Sequence, residues 1–505
     1  MESKSWSIEN DNRRITGIIL TINLNIYKMK NIPQLKIWTL IVGLFMTTVS
    51  CNKEFLETPL PTNALAAEGA FSSLGAIKQL NNQLHTDFQG IVVNNSRFEP
   101  YADNGYNALN LDKYTINNLT PRDEGLISWK GLYKAIFSAN LMLEGLPTAD
   151  AVGLDDNTRN QYIGAARTVR AFALYQLVRL YGDVPLVTTT SVEENKFKPR
   201  TPKADVYAQI ETDLLDAIAK LSATITVPYY INNKYIPQAI LADVYLTEGK
   251  WTEAQAAANA VISSGKYQLD NIDDVFLRTS KATIMATGYL SASSANYAQP
   301  GPDNCPSCSA PAGSYGAYIQ TFFEGVMFPL TADLLNSFET GDLRKVKWVL
   351  LNNLANYPNN NERMFPLKYK WTSSSGIVPP AAQQEDNKFI RLAEIILIRA
   401  ETRARLNDLS GAAADLNSIR NRAGLLNTTA ISQTDIIDAI IKERRMEFFF
   451  EKGIRWYDLV RTGKANATLS VIPYKTGWTI DKVLMPIPQD EIDKSANVLT
   501  PNPGY

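Results

Sequence analysis

Acidic and basic side chains crowd together between residues 436 and 463: Glu443, Arg444, Arg445, Glu447, Glu451, Arg455, Asp458 and Arg461, set among Phe448, Phe449, Phe450, Trp456 and Leu459. Carboxylates gathered that closely could act as the acid and base of a glycosidase. The interleaved arginines favour another reading. A guanidinium beside each acid depresses its pKa, the wrong direction for a general acid. Acids alternating with arginines on a helical frame neutralise each other and lock elements together. The expectation is therefore a structural network, with no catalytic residue. His85 is the one histidine of the chain, which leaves little with which to build a serine–histidine triad, a cysteine–histidine dyad or a histidine-rich metal site.

Other residue types point to recognition. Residues 94–118 mix Phe98, Tyr101 and Tyr106 with Arg97, Asp103, Asn104 and Asn107, without clean periodicity, as loops do. Residues 270–386 also lack helical periodicity, and Tyr289, Tyr297, Tyr315, Tyr318 and Trp371 are scattered through them. A loop-rich insert on a rigid frame is where binding residues tend to lie. Cys305 and Cys308 form CPSC inside a Ser, Ala, Pro and Gly-rich stretch of that insert, with no further ligands nearby for zinc.

The elements that must carry these residues are mostly helices. In 389–424, Phe389, Leu392, Ala393, Ile396, Leu397, Ala400 and Ala404 form one apolar stripe, and Ala412, Ala413, Leu416, Ile419 and Ala423 form a second. Ser410 is the expected cap between them, and Gly424 the expected left-handed stop. Glu401 and Arg405 are placed to pair on the watered side. Ala242, Tyr245, Ala254, Ala258 and Val261 repeat the offsets of Ala400, Arg403, Ala412, Leu416 and Ile419, a tetratricopeptide-like spacing of paired helices that must stack to bury their seams. Further helices are expected over 68–84, 125–145, 157–181 and from Thr201-Pro202 onward. The net charge of −1 gives no footprint for nucleic acid.

Lys30 and Lys36 precede an apolar run over 37–49 that ends at Ser50-Cys51. The run is too short to span a bilayer and suits a secretory signal, with Met29 as its start. A cysteine at its end resembles a bacterial lipoprotein signal, which makes Cys51 the lipid attachment point. In an exported chain a local Cys305–Cys308 disulfide is favoured over free thiols.

Five blocks carry a resemblance to a known family: Cys51 after the signal, ARTVRAFALYQLVRLYGDVPLV at 166–187, FIRLAEIILIRAETRARLND at 389–408, IIKERRMEFFFEKGIRWYDLVRTGK at 440–464 and MPIPQDEIDKSANVLTPNPGY at 485–505. The chain resembles the SusD/RagB family of outer-membrane lipoproteins. The resemblance implies a mostly α fold, in which tetratricopeptide-like hairpins frame an irregular, loop-rich ligand-binding lobe. Its expected organisation is a signal over 1–50, a lipid-anchored tether over 51–66, helical parts over 67–270 and 387–505, and the ligand lobe over 271–386. It also implies a cell-surface protein that captures glycan for a TonB-dependent, SusC-like transporter, without catalysis or cofactor. Peptide capture on the same scaffold is the alternative, and a glycoside hydrolase the third reading.

Sugar rings offer apolar C–H faces to aromatic rings and hydroxyls to amides and acids. That ranks Phe98, Tyr101, Asp103, Asn104, Tyr106, Tyr289, Tyr297, Tyr315, Tyr318 and Trp371 as ligand-binding candidates. Each ring taken singly fits a core better than a ligand site, and it is as a set in loop-like sequence that they are candidates.

Overall fold

The computed structural model describes residues 69–92, 97–107, 111–123, 125–226, 231–289, 328–352, 363–369 and 381–505. Cys51, Tyr297, Cys305, Cys308, Tyr315, Tyr318 and Trp371 lie outside them, as does the side chain of Tyr289.

Helix α1 (Leu74–Ile91) opens on Ser73 and α2 (Trp129–Gly145) on Ser128, each hydroxyl accepting from a backbone N–H three residues on. Helix α3 (Asp156–Tyr181) is capped by Asp155 and ends at Gly182, where φ is +74°. Packed between α2 and α4 (Lys203–Lys220), it is buried on almost every side from Gly164 to Tyr181. Helices α5 (Tyr235–Glu248) and α6 (Trp251–Ile262) form one hairpin, α7 (Leu392–Arg405) and α8 (Leu409–Arg422) another, and α6 stacks on α7. Ala242, Ala254, Ala258, Ala400 and Ala412 are fully enclosed at these seams. A methyl group is all that fits where two backbones close up, which is why the two hairpins share one spacing.

Three details of the second hairpin differ from expectation. The helix does not begin at Phe389: residues Asp386–Arg391 are a strand, β4, pairing antiparallel with β1 (Thr283–Tyr289) and running straight into α7. Every residue of β4 is buried, so it lacks the alternation that marks a half-exposed strand. The cap of α8 is Asp408, which accepts from Gly411 N–H at 3.0 Å, and not Ser410. Glu401 is not on a watered face. It is fully buried and takes a two-pronged pair from Arg461 at 2.8 Å, with Arg405 a weaker partner at 3.5 Å. Gly424 does supply the left-handed stop, with φ +79°.

Helix α9 (Gln433–Phe448) packs on α7 and α8, and α10 (Ile454–Arg461) follows after Gly453. A second small sheet pairs β2 (Val349–Asn352) with β3 (Arg363–Pro366). Around it lies a separate core of Val275, Phe276, Phe328, Leu334, Trp348, Tyr369, Phe449 and Phe450. The tail closes back onto the frame: Tyr505 donates from its hydroxyl to Leu484 O at 3.0 Å, and the Lys482 ammonium sits 3.7 Å from the Tyr505 ring centre. The tail is not wholly extended, since Gln489–Lys494 is a short helix. Among the described residues no helix is long and apolar enough to cross a membrane.

Candidate functional site

The candidate stretch from Phe98 to Tyr106 begins with one helical turn, Phe98–Tyr101. Phe98 is buried against Tyr457, with ring centres 5.4 Å apart, and against the bare backbone of Gly453. Tyr101 stands edge-on to Trp456 at 4.8 Å, and its hydroxyl donates to Lys482 O. Neither ring has a face free for a sugar. The expectation that Phe98 and Tyr101 stack on ligand is corrected: both rings belong to the core of the frame.

Asp103 and Asn104 are also enclosed. Arg455 grips both Asp103 oxygens at 2.7 Å, and Arg445 approaches the same carboxylate at 3.1 Å. Burial alone would raise the Asp103 pKa. The hydrogen bond from Arg455 and the two guanidinium charges outweigh it and hold the carboxyl below its usual range. Asn104 accepts from Arg445 Nε at 2.8 Å and donates to Glu99 Oε2 at 2.7 Å. These groups pin α9 and α10 to the candidate segment, so the role of bonding ligand hydroxyls is corrected for both.

Tyr106 is different. It is half-buried, its N–H donates to Pro329 O at 3.3 Å, and the Arg363 guanidinium of β3 lies 5.9 Å from its ring centre. Gly105 bridges Leu330, and Leu330 N–H donates to Met364 O at 2.8 Å. Tyr106 is thereby carried to the β2–β3 hairpin. Tyr289 closes β1 opposite Asp386. Phe328 and Tyr369, which border the segments that hold Tyr297, Tyr315, Tyr318 and Trp371, are buried in the second core.

The charged segment forms the expected network. Glu447 meets Arg422 at 2.6 Å, Arg391 at 2.8 Å and Arg344 at 3.2 Å. Glu451 takes two bonds from Arg391 at 2.9 Å and one from Lys368 at 2.5 Å. Burial pushes the carboxyls of Glu447, Glu401 and Asp458 up, and the surrounding arginines more than offset it, so that all three are held low. Glu443 departs from expectation: its burial outweighs Arg344, and its pKa rises. Glu99, pushed up to about 7 mainly by burial, has the value a general acid needs, but it is 1% exposed and out of reach of any substrate. No group of three or more His, Cys, Asp or Glu side chains placed to hold a metal occurs among the described residues.

Concave surface also occurs away from the candidate residues. A cleft of about 960 Å3 opens at the ends of α3, α4 and α5 against α10 and the tail. At its base the Arg179 guanidinium is sandwiched between Tyr175 and Tyr457, 3.9 and 3.7 Å from the ring centres. These residues lie on helical faces, and only their meeting in space separates them from ordinary core positions.

Comparison with known proteins covers both halves of the chain. The model of the SusD family matches residues 226–505, and one described as "Starch-binding associating with outer membrane" matches residues 57–246. Two SusD-like proteins of Formosa agariphila are 28% and 26% identical to it. The first match takes in 80% of this chain and 86% of the relative, the second 74% and 78%. A solved laminarin-binding SusD-like protein superposes with a TM-score of 0.68 at 23% identity, over 86% of this chain and all of its own. Surface glycan-binding protein A of Bacteroides thetaiotaomicron superposes at 0.66 with 20% identity, over 86% of this chain and 99% of its own. At such identities the likeness is one of fold.

Proposed function

The chain belongs to the SusD family, and on that premise we propose that it is a non-catalytic glycan-binding protein of the outer membrane. In this reading Cys51 carries the lipid anchor, and captured oligosaccharide passes to a TonB-dependent, SusC-like transporter. The observation that carries the reading is the joint match of a SusD model and a starch-binding, outer-membrane-associated model across residues 57–505. The ligand is assigned to the rim where Tyr106 meets the β2–β3 hairpin, with Tyr289, Tyr297, Tyr315, Tyr318 and Trp371 as the further stacking rings. Binding there would combine ring stacking with hydrogen bonds, weak for one chain end and stronger for polymer through avidity.

Electrophoresis through gels containing laminarin, starch or other polysaccharides tests this directly. Retardation by at least one polymer, reduced in Tyr106→Ala or Trp371→Ala, is the expected result. Migration unaffected by every polymer, with retention of peptides instead, would move the assignment to peptide capture. Release of reducing ends from a retained polymer, abolished by replacing one acid, would overturn the non-enzyme reading.

A further inference from the structure

Helix α1, the first turns of α3 and, after α4, residues 222–226 and 231–232 line a pocket of about 310 Å3, separate in its lining from everything assigned above. Asn81 and His85 lie one turn apart on α1, and Asn157 and Gln161 one turn apart on α3, so each pair shares a helix face. Ser222, Asn232, Thr158, Thr224 and Thr226 add to the polar wall, and the Tyr162 ring with Ile231 and Ala165 supplies an apolar patch. The volume is at the small end of ligand pockets.

The chemistry of the lining narrows the occupant. Among the described residues no Asp, Glu, Lys or Arg side chain lines the pocket. Its histidine is neutral at physiological pH, because burial lowers the His85 pKa to about 4. An anion or cation would find no counter-charge there. A purely apolar guest would cover polar groups without bonding them, and unmet buried polar groups are costly. Asn81 is only 1% exposed, and its side-chain oxygen meets no donor among the described residues. The amides of Asn157, exposed, and Gln161, half-buried, are not tied down by any hydrogen bond among those residues. Uncharged donors and acceptors around a ring and a small aliphatic patch suit an uncharged polyol with one apolar face.

We infer that this pocket is a second saccharide site, which takes a single neutral pyranose or chain end between α1, α3 and the chain following α4. The inference stands on the lining alone and does not need the rim at Tyr106. Binding would be millimolar, as befits so small a ligand.

The single histidine makes the test selective, since the whole protein gives one set of imidazole NMR signals. The full chain, labelled in histidine, is titrated with glucose, galactose, mannose, xylose and N-acetylglucosamine, and with glucuronate as the charged control. A saturable shift of the His85 signal is expected with at least one neutral sugar. In Asn157→Ala and in Gln161→Ala the affinity falls at least about tenfold, while Tyr106→Ala leaves the shift unchanged. Asn157 is exposed, so its variant tests the site without disturbing the core. Absence of a saturable shift with every neutral sugar overturns the inference, as does equal affinity in both amide variants or binding of glucuronate as tight as that of glucose. Polysaccharide retention lost in Tyr106→Ala with the His85 response intact would separate this site from the proposed rim.

Discussion

Glu99 and Asp103 stand four residues apart in one buried turn, yet their carboxyl groups are driven in opposite directions. Asp103 has two arginines against it. Glu99 has the Asn104 amide, which does not repay the loss of water, and its pKa rises from 4.5 to about 7. A folded-state value above the unfolded one means that the folded chain holds the extra proton. Its contribution to stability is therefore fully present below pH 4.5 and lost as pH rises through about 7. Glu99→Gln keeps the neutral form at every pH. Urea unfolding at pH 8 should find the variant more stable by on the order of 2–3 kcal/mol, with the difference shrinking toward zero as pH falls to 4.5. An unchanged difference across that range would show that Glu99 does not titrate as its burial implies. The polar mixture of residues 98–107 reads as loop because such side chains usually face water. Here they face each other, and a sequence does not reveal which polar residues have found buried partners.

At the scale of elements, the link from α9 to α10 determines how closely the candidate segment can approach the frame. The chain turns through positive φ at Phe450, Lys452 and Gly453, and a Cβ on Gly453 would lie 2.5 Å from Phe98 Cγ. Both the backbone angle of +74° and the ring above it call for glycine. Gly453→Ala should lower stability by about 2–3 kcal/mol, read as a drop in the urea midpoint. In a Phe98→Ala background the same change should cost less, because the ring that it strikes is gone. Equal costs in the two backgrounds would mean that the two residues do not press on each other. The hairpin alanines were legible for the converse reason: close backbone approach demands a methyl group at fixed spacing, and that spacing is written in the chain. Strand β4 was not legible, since burial on both faces erases its alternation.

For the molecule as a whole, the central charge network joins two cores. Arg344 and Lys368 come from the cluster around Trp348, Arg391 and Arg422 from the hairpin layer, and Glu443, Glu447 and Glu451 from α9 and the turn after it. Glu447 is held well below the usual carboxylate range, despite complete burial, by Arg422, Arg391 and Arg344. A depressed folded-state value makes its stabilisation present above the unfolded pKa of 4.5, draining away as pH falls below it. Asp103, Glu401 and Asp458, shifted the same way, add to that loss. Acid unfolding should therefore steepen below about pH 4, as followed by tryptophan fluorescence. Glu447→Gln should cost about 3–5 kcal/mol at pH 7 by leaving buried guanidiniums underpaired, and should flatten the acid limb. An acid limb identical to that of the unaltered chain would remove Glu447 from this role.

The residue order alone determined that the chain is a stack of helical hairpins, that its interleaved acids and arginines neutralise one another, and that it belongs with the SusD/RagB proteins. Periodicity and alternating charge are local patterns, and local patterns survive in one dimension. Tertiary structure alone decided that Phe98, Tyr101, Asp103 and Asn104 are packed inward while Tyr106 stays half-buried. It also brought Asn81, His85, Asn157 and Gln161 to one pocket from helices far apart in the chain. Which ring meets water and which meets another ring depends on what arrives from elsewhere in the chain, and no spacing encodes that.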